Sequence, residues 1–225
     1  MAAPRVLPLG DAALAVDFGA EFSDRVNARV IALADSLRRD PPPVALRDVV
    51  PGISSLTVHF DPASARIGLL MTELERRAAL AGEDDGASQD RDTDASRVHE
   101  IPVIYGGDEG PDLQDVASFA GITAADVIAR HAGRVYRVYM LGFLPGFAYL
   151  GEVDASIAAP RRSTPRQAVP AGSVGIAGRQ TGVYPQVSPG GWQLIGRTDA
   201  RMFDMAAGRS LLEPGDRVRF VAEKG

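Results

Sequence analysis

The 225-residue sequence contains no cysteine. A disulfide framework, a thiol nucleophile and a thiolate metal site are therefore excluded. Lysine is almost as scarce: of 24 basic residues, only Lys224 is not an arginine. That removes the phosphate-binding pattern GxxxxGK[ST] and an interior Schiff-base lysine. An anion held by this chain must rely on arginine forks, backbone amides and hydroxyls. No apolar run approaches the ~18 residues that a membrane-spanning helix needs. The start, MAAPRVLPLGDAALAVDFG, is broken by proline, glycine and aspartate before a signal-like apolar core can form, and the expected location is the cytoplasm. A basic face is missing too. Six acids and Arg91 give residues 82–96 a charge of −5, equal to the net charge of the whole chain, so the remainder is neutral on balance. No nucleic-acid partner is expected from such a charge distribution.

What is present reads as α+β in two domains. Residues 1–80 alternate strand and helix signals. Ala13–Phe18 is an apolar strand, and Ser23 is an N-cap for a helix with Val26, Val30, Leu33 and Leu37 at helical spacing. Pro41, Pro42 and Pro43 end that helix. Val44–Val50 and Ser54–Phe60 flank a Pro51-Gly52 turn, and a second helix is predicted from Pro62 to Leu80 with Ile67, Leu70, Met71 and Leu74 on its buried side. With His99–Tyr105 as a sixth element, the order is that of a ferredoxin-like split βαβ unit. Residues 81–97 are acidic and polar with little to bury, as expected of a flexible linker. Residues 98–225 offer helices at Asp112–Ala120 and Ala124–Ala132. Short apolar runs follow between glycine- and proline-rich turns, which predicts a closed or nearly closed β structure.

Three segments of this second part have a composition suited to a site. Gly142–Gly151 (GFLPGFAYLG) places Phe143, Phe147 and Tyr149 on a flexible loop, either as a pocket wall or as a cover over the core. Pro160–Pro170 (PRRSTPRQAVP) cannot be helical and carries Arg161, Arg162 and Arg166. Arginine forks match carboxylate or phosphate oxygens, so these three are candidate substrate-binding residues; the alternative is a surface cluster paired with Glu152 and Asp154. Ala171–Gly196 is dense in glycine, so its backbone turns tightly or approaches something closely. Ser173, Gln180, Thr181, Tyr184 and Gln193 supply neutral donors and acceptors suited to an amide, with Ser173, Gln180 and Tyr184 the candidates around a bound ring. Trp192, the single tryptophan, is a core plug or an interface anchor. Phe143, Phe147, Tyr149, Tyr184 and Trp192 together read as a pocket or an exposed interface. Of the three histidines, none has metal-ligand spacing, and no metal site is expected. His131, at the end of a predicted helix, is the candidate catalytic acid/base, although it could equally satisfy the helix C-terminus.

Several long motifs occur in order: YGGDEGPDL (Tyr105–Leu113), GFLPGFAYLG, PRRSTPR, VPAGSVGIAG, QTGVYP and SPGGWQLIGRT (Ser188–Thr198), with LGDAALAVDFG and PGISSLTVHFDP nearer the start. In these the chain resembles the family of the 5-oxoprolinase B subunit, also described as allophanate hydrolase subunit 1 and as a Kip-type inhibitor of a histidine kinase. Ala148 and Arg179 depart from the family pattern, where proline and glycine are frequent. The resemblance implies an N-terminal α/β domain followed by a cyclophilin-like β-barrel. It further implies work with two partners, the homologous C subunit plus the A subunit, in the ATP-dependent opening of 5-oxoproline to glutamate, ATP being held wholly or partly by those partners. A kinase-inhibitor role and a urea-related hydrolase role are the alternatives that it carries.

Overall fold

The computed structural model describes residues 3–20, 22–63, 66–81 and 98–223. The proposed linker lies, apart from Ala81, outside the described residues. The chain forms two compact units, Met1–Ala95 and Ser96–Gly225.

In the first unit, strands β1 (Arg5–Leu9), β2 (Ala13–Asp17), β3 (Leu46–Pro51) and β4 (Ser55–Phe60) form one antiparallel sheet in the order β1-β2-β4-β3. Helix α1 (Asp24–Arg39) begins where Ser23 Oγ accepts the amide of Val26 at 3.3 Å, and it stops before the proline run. Its apolar stripe, Val26, Val30, Leu33 and Leu37, packs with Leu14, Val16, Leu56 and Val58 into one core. Helix α2 (Ile67–Leu80) adds Leu70, Leu74 and Ala78 to that core. It starts five residues later than predicted, and Ile67 is exposed rather than buried. The sheet also differs from the predicted order. One of its edges is β1, which the sequence conceals because Pro8 interrupts the strand signal. The predicted sixth element pairs elsewhere, so a ferredoxin-like order through residues 99–105 is not what forms.

That element is β5 (Val98–Tyr105), the first strand of a closed barrel in the second unit. Helices α3 (Leu113–Ala120) and α4 (Ala124–Ala132) follow, the second held by a reciprocal capping box between Thr123 and Asp126. The remaining elements are β6 (Val135–Leu141), β7 (Ala148–Gly151), β8 (Arg166–Val169), β9 (Ser173–Ala177), β10 (Gln180–Val183), β11 (Ser188–Gly190), β12 (Gln193–Arg197), β13 (Phe203–Asp204), β14 (Arg209–Ser210) and β15 (Arg217–Glu223). The barrel order is β10-β7-β6-β15-β5-β12-β9, with β15 parallel to β5 and the other pairs antiparallel. Its interior is filled by Ile101, Val103, Val138, Leu150, Val174, Ile176, Val183, Val218 and Phe220, with Val116, Ala117 and Val127 contributed by the helices.

Candidate functional site

Alternation along a strand sends successive side chains to opposite faces, and β9 and β10 sort the candidate residues by this rule. Val174, Ile176 and Val183 face the barrel interior. Ser173, Gly175 and Ala177 on β9, and Gln180, Gly182 and the following Tyr184, therefore share the outer face. A second apolar cluster of Phe147, Val169, Ala177, Tyr184, Trp192 and Leu194 covers that face, with Leu144 and Tyr149 packed against it. The two glycines make room for the indole. A Cβ at Gly175 would lie 3.1 Å from Trp192 Cβ, and one at Gly182 would lie 3.3 Å from the Trp192 ring and 2.7 Å from Ala148 O. Phe147 is the hub of the rings, with centroids 4.9 Å from Tyr149, 5.2 Å from Tyr184 and 5.4 Å from Trp192.

The structure thus gathers Phe147, Tyr149, Tyr184 and Trp192 as the sequence suggests, but it does not leave them as an exposed interface. Phe147, Tyr184 and Trp192 are buried and Tyr149 is half-buried. Only Phe143 stands out, at 59% exposure and with φ of 68°, resting edge-on against Phe147 at 5.5 Å. Ser173 is buried beneath the same outer face. Gln180 sits at its other end, with Nε2 buried and without a hydrogen-bond partner.

The arginine loop crosses beside this cluster. Its backbone is tied to the Gly190–Gln193 segment: the Arg162 amide donates to Gly191 O at 2.7 Å, and Gln193 Nε2 donates to Pro160 O at 3.0 Å. The side chains of Arg162 and Arg166 both donate to Asp112 Oδ1, at 2.9 and 2.7 Å, while Asp112 Oδ2 accepts the Leu194 amide at 2.7 Å. The expected local partners are engaged elsewhere, Glu152 by Arg179 and Asp154 by Arg134. Asp112 is the residue that sequence reading missed. It is brought in by YGGDEGPDL, whose backbone docks on β12: the Gly106 amide donates to Ile195 O at 3.1 Å and the Asp112 amide to Leu194 O at 2.8 Å. A Cβ at Gly110 would come within 2.1 Å of Ile195 O, so this glycine is needed for the close approach. The signal available in sequence was a carboxylate at the end of a glycine motif.

His131 lies on the opposite side of the barrel wall from these residues. It is completely buried, and both ring nitrogens are occupied. Thr181 Oγ1 donates to Gly175 O at 2.9 Å, so it accepts from His131 Nε2 at 2.8 Å. Nδ1 then accepts from the Tyr105 hydroxyl at 2.7 Å. The ring stacks on Phe220 at 4.6 Å, and Tyr136 Oη donates to the His131 carbonyl at 2.8 Å. Burial pushes the imidazole pKa down to about 3 and raises the Tyr105 and Tyr136 phenols. As placed, His131 has no free nitrogen for a proton transfer to substrate, and it is not gathered with the other candidates. Among the described residues no group of acids and histidines is arranged to hold a metal ion.

Comparison with known proteins follows the same pattern along the chain. The family described as the carboxyltransferase domain, subdomain C and D, matches residues 4–212. The 5-oxoprolinase B subunit of Bacillus subtilis (strain 168) is 42% identical over 224 residues, covering 95% of this chain and 90% of the relative. The protein belongs to this family. The 5-oxoprolinase B subunit of Escherichia coli O157:H7 is 41% identical, covering 96% of this chain and 94% of the relative. Among solved structures, TTHA0988 superposes with a TM-score of 0.78 at 40% identity, covering 95% of this chain. This family member spans only 40% of that longer chain.

Proposed function

We propose that this protein is the B subunit of a 5-oxoprolinase, an enzyme complex that hydrolyses 5-oxoproline to L-glutamate at the expense of ATP. The observation that carries the reading is identity of 41–42% over at least nine-tenths of two relatives that bear this name. Its site sets a guanidinium loop, suited to the carboxylate of a small cyclic amide acid, beside an aromatic cluster. In this reading the γ-phosphate of ATP passes to the amide oxygen with release of ADP. One water adds at the amide carbon and expulsion of the ring nitrogen gives an acyl phosphate, and a second water cleaves that acyl phosphate to glutamate and phosphate.

The A and C subunits are the partners that complete the complex. Two of the three loop arginines are engaged by Asp112, so few N–H groups remain for a triphosphate, and we assign ATP to the partners. A longer chain that contains a counterpart of this one, TTHA0988, supports association with a further protein part. We read the barrel as cyclophilin-like and the location as cytoplasmic; no helix among the described residues is long and apolar enough to cross a membrane. The names of the relatives favour neither the kinase-inhibitor nor the urea-related alternative.

The test is reconstitution. The chain copurified with the A and C subunits should release glutamate from 5-oxoproline only when ATP is supplied, and the isolated chain should release none. A complete complex without ATP-dependent glutamate release contradicts the reading, and full turnover by the isolated chain contradicts the shared site.

A further inference from the structure

The arginine loop is not a set of three equal cations. Asp112 is 2% exposed and takes N–H groups from both Arg162 and Arg166, whose side chains lie partly open to solvent. Arg161 stands between two pinned neighbours, because Pro160 is held through Gln193 and Arg162 through Gly191. It is exposed and makes no hydrogen bond or ion pair among the described residues. The Tyr184 hydroxyl is located by Gly190, where a Cβ would lie 2.3 Å away. The backbone ties on either side of Arg161, to Gly191 and to Gln193, set it beside Trp192 at the edge of the aromatic cluster, and its charge opposes the burial that raises the Tyr149 and Tyr184 phenols. A free fork at the edge of an aromatic cluster whose Tyr149 is half-buried suits a carboxylate attached to a small ring.

We propose that Asp112 is a positioning residue that ties down Arg162 and Arg166, leaving Arg161 as the guanidinium that takes the carboxylate of a small cyclic acid. The identity of that acid, 5-oxoproline, rests on the function proposed above, whereas the anion site itself does not. Asp112 acts through its charge. With it in place, two of the three forks are tied to its carboxylate and one is free; without it, three forks compete for any anion and favour a more highly charged one.

Trp192 is the only tryptophan and lies 5.9 Å from Tyr149 and 6.4 Å from Tyr184, ring to ring, so its emission reports on the site. The full chain is titrated with L-5-oxoproline, with 2-pyrrolidinone as the same lactam lacking the carboxylate, and with acetate and inorganic phosphate. 5-Oxoproline should change the emission saturably, and 2-pyrrolidinone should bind at least about tenfold more weakly. Arg161→Gln should weaken 5-oxoproline by a similar factor at unchanged melting temperature, since the side chain holds nothing else. Asp112→Asn keeps an acceptor for the Leu194 amide but frees two forks, and it should bind phosphate several-fold more tightly than wild type. A purely structural aspartate would give no such gain. Should Asp112→Asn fail to fold, Arg166→Gln serves instead, with a lowered melting temperature and 5-oxoproline affinity within about twofold of wild type. The proposal is overturned by unchanged affinity in Arg161→Gln, by equal binding of 2-pyrrolidinone, by no gain for phosphate in a folded Asp112→Asn, or by no saturable response in the wild type. If 5-oxoproline binds through Arg161 no better than acetate, the anion site stands and the 5-oxoproline reading falls. If a complex carrying Arg161→Gln opens 5-oxoproline with wild-type KM, that reading stands and this site falls.

Discussion

An imidazolium inside the barrel would lose its water without gaining a counter-ion, and for that reason His131 is held at about 3. Its hydrogen-bonding partners are a threonine and a tyrosine hydroxyl, and its ring neighbour is Phe220; none of these carries a compensating negative charge. The consequence for stability has a definite sign. In the unfolded chain the ring takes a proton below its ordinary value of ~6.5, while in the folded chain it stays neutral down to about 3. Stability is therefore full above ~6.5 and is lost as pH falls from there, at up to ~1.4 kcal/mol per pH unit. Between pH 6.5 and 5.5 the wild type should lose about 1 kcal/mol more in urea unfolding than His131→Gln, which has no proton to bind there. Superimposable slopes for the two proteins would show that the ring is not held neutral. The same scale explains what sequence could reveal of the site. Arg161, Arg162 and Arg166 stand out because they cluster locally. Asp112 does not, because it lies 50 and 54 residues from the arginines it binds, and the acids nearer in sequence turn to Arg134 and Arg179.

The loop between β5 and α3 is the element on which the site depends, and its glycines are not interchangeable. Gly106 and Gly107 have φ of 74° and 55°, which permits the turn. Gly110 faces the β12 backbone so closely that a methyl group there would overlap Ile195 O at 2.1 Å. A backbone carbonyl cannot move aside as a side-chain end can. Gly110→Ala should therefore lift the loop from β12, displace Asp112, and destabilise the barrel by roughly 3 kcal/mol, the upper range for overpacking. Thermal unfolding of the variant tests this; a loss below ~0.5 kcal/mol, typical of a surface change, would mean that the loop does not dock as described. Elements were legible where local chemistry fixes them. Ser23 marked the start of α1, and 3.6-residue periodicity marked its apolar stripe. The four-residue strands β7, β8 and β10 were not legible, since runs of that length are too short to show an alternation. For β5 the strand signal was plain, but nothing local says which sheet a strand joins. Pairing with β15, more than 110 residues away, decided it.

Neither unit needs the other to complete its core. Every buried residue in the core of the first unit comes from residues 6–78, and every one in the two clusters of the second comes from residues 101–220. The barrel closes on itself, because β5 and β15 pair in parallel over seven residue pairs from Val98 with Arg217 to Ile104 with Glu223. A closed barrel leaves no unpaired edge of the kind that drives strand exchange. Its Asp112 hub, arginine loop and aromatic cluster also lie wholly within residues 98–223. A fragment of residues 98–225 should then fold cooperatively by itself, with a far-ultraviolet spectrum rich in strand and a single thermal transition. It should also keep the acid sensitivity set by His131 and the Trp192 response to 5-oxoproline, because the groups responsible travel with it. An unfolded fragment, or one whose tryptophan no longer reports ligand, would show that the first unit supplies something the barrel lacks. The protein would then be one cooperative body rather than a carrier domain joined to a self-sufficient site.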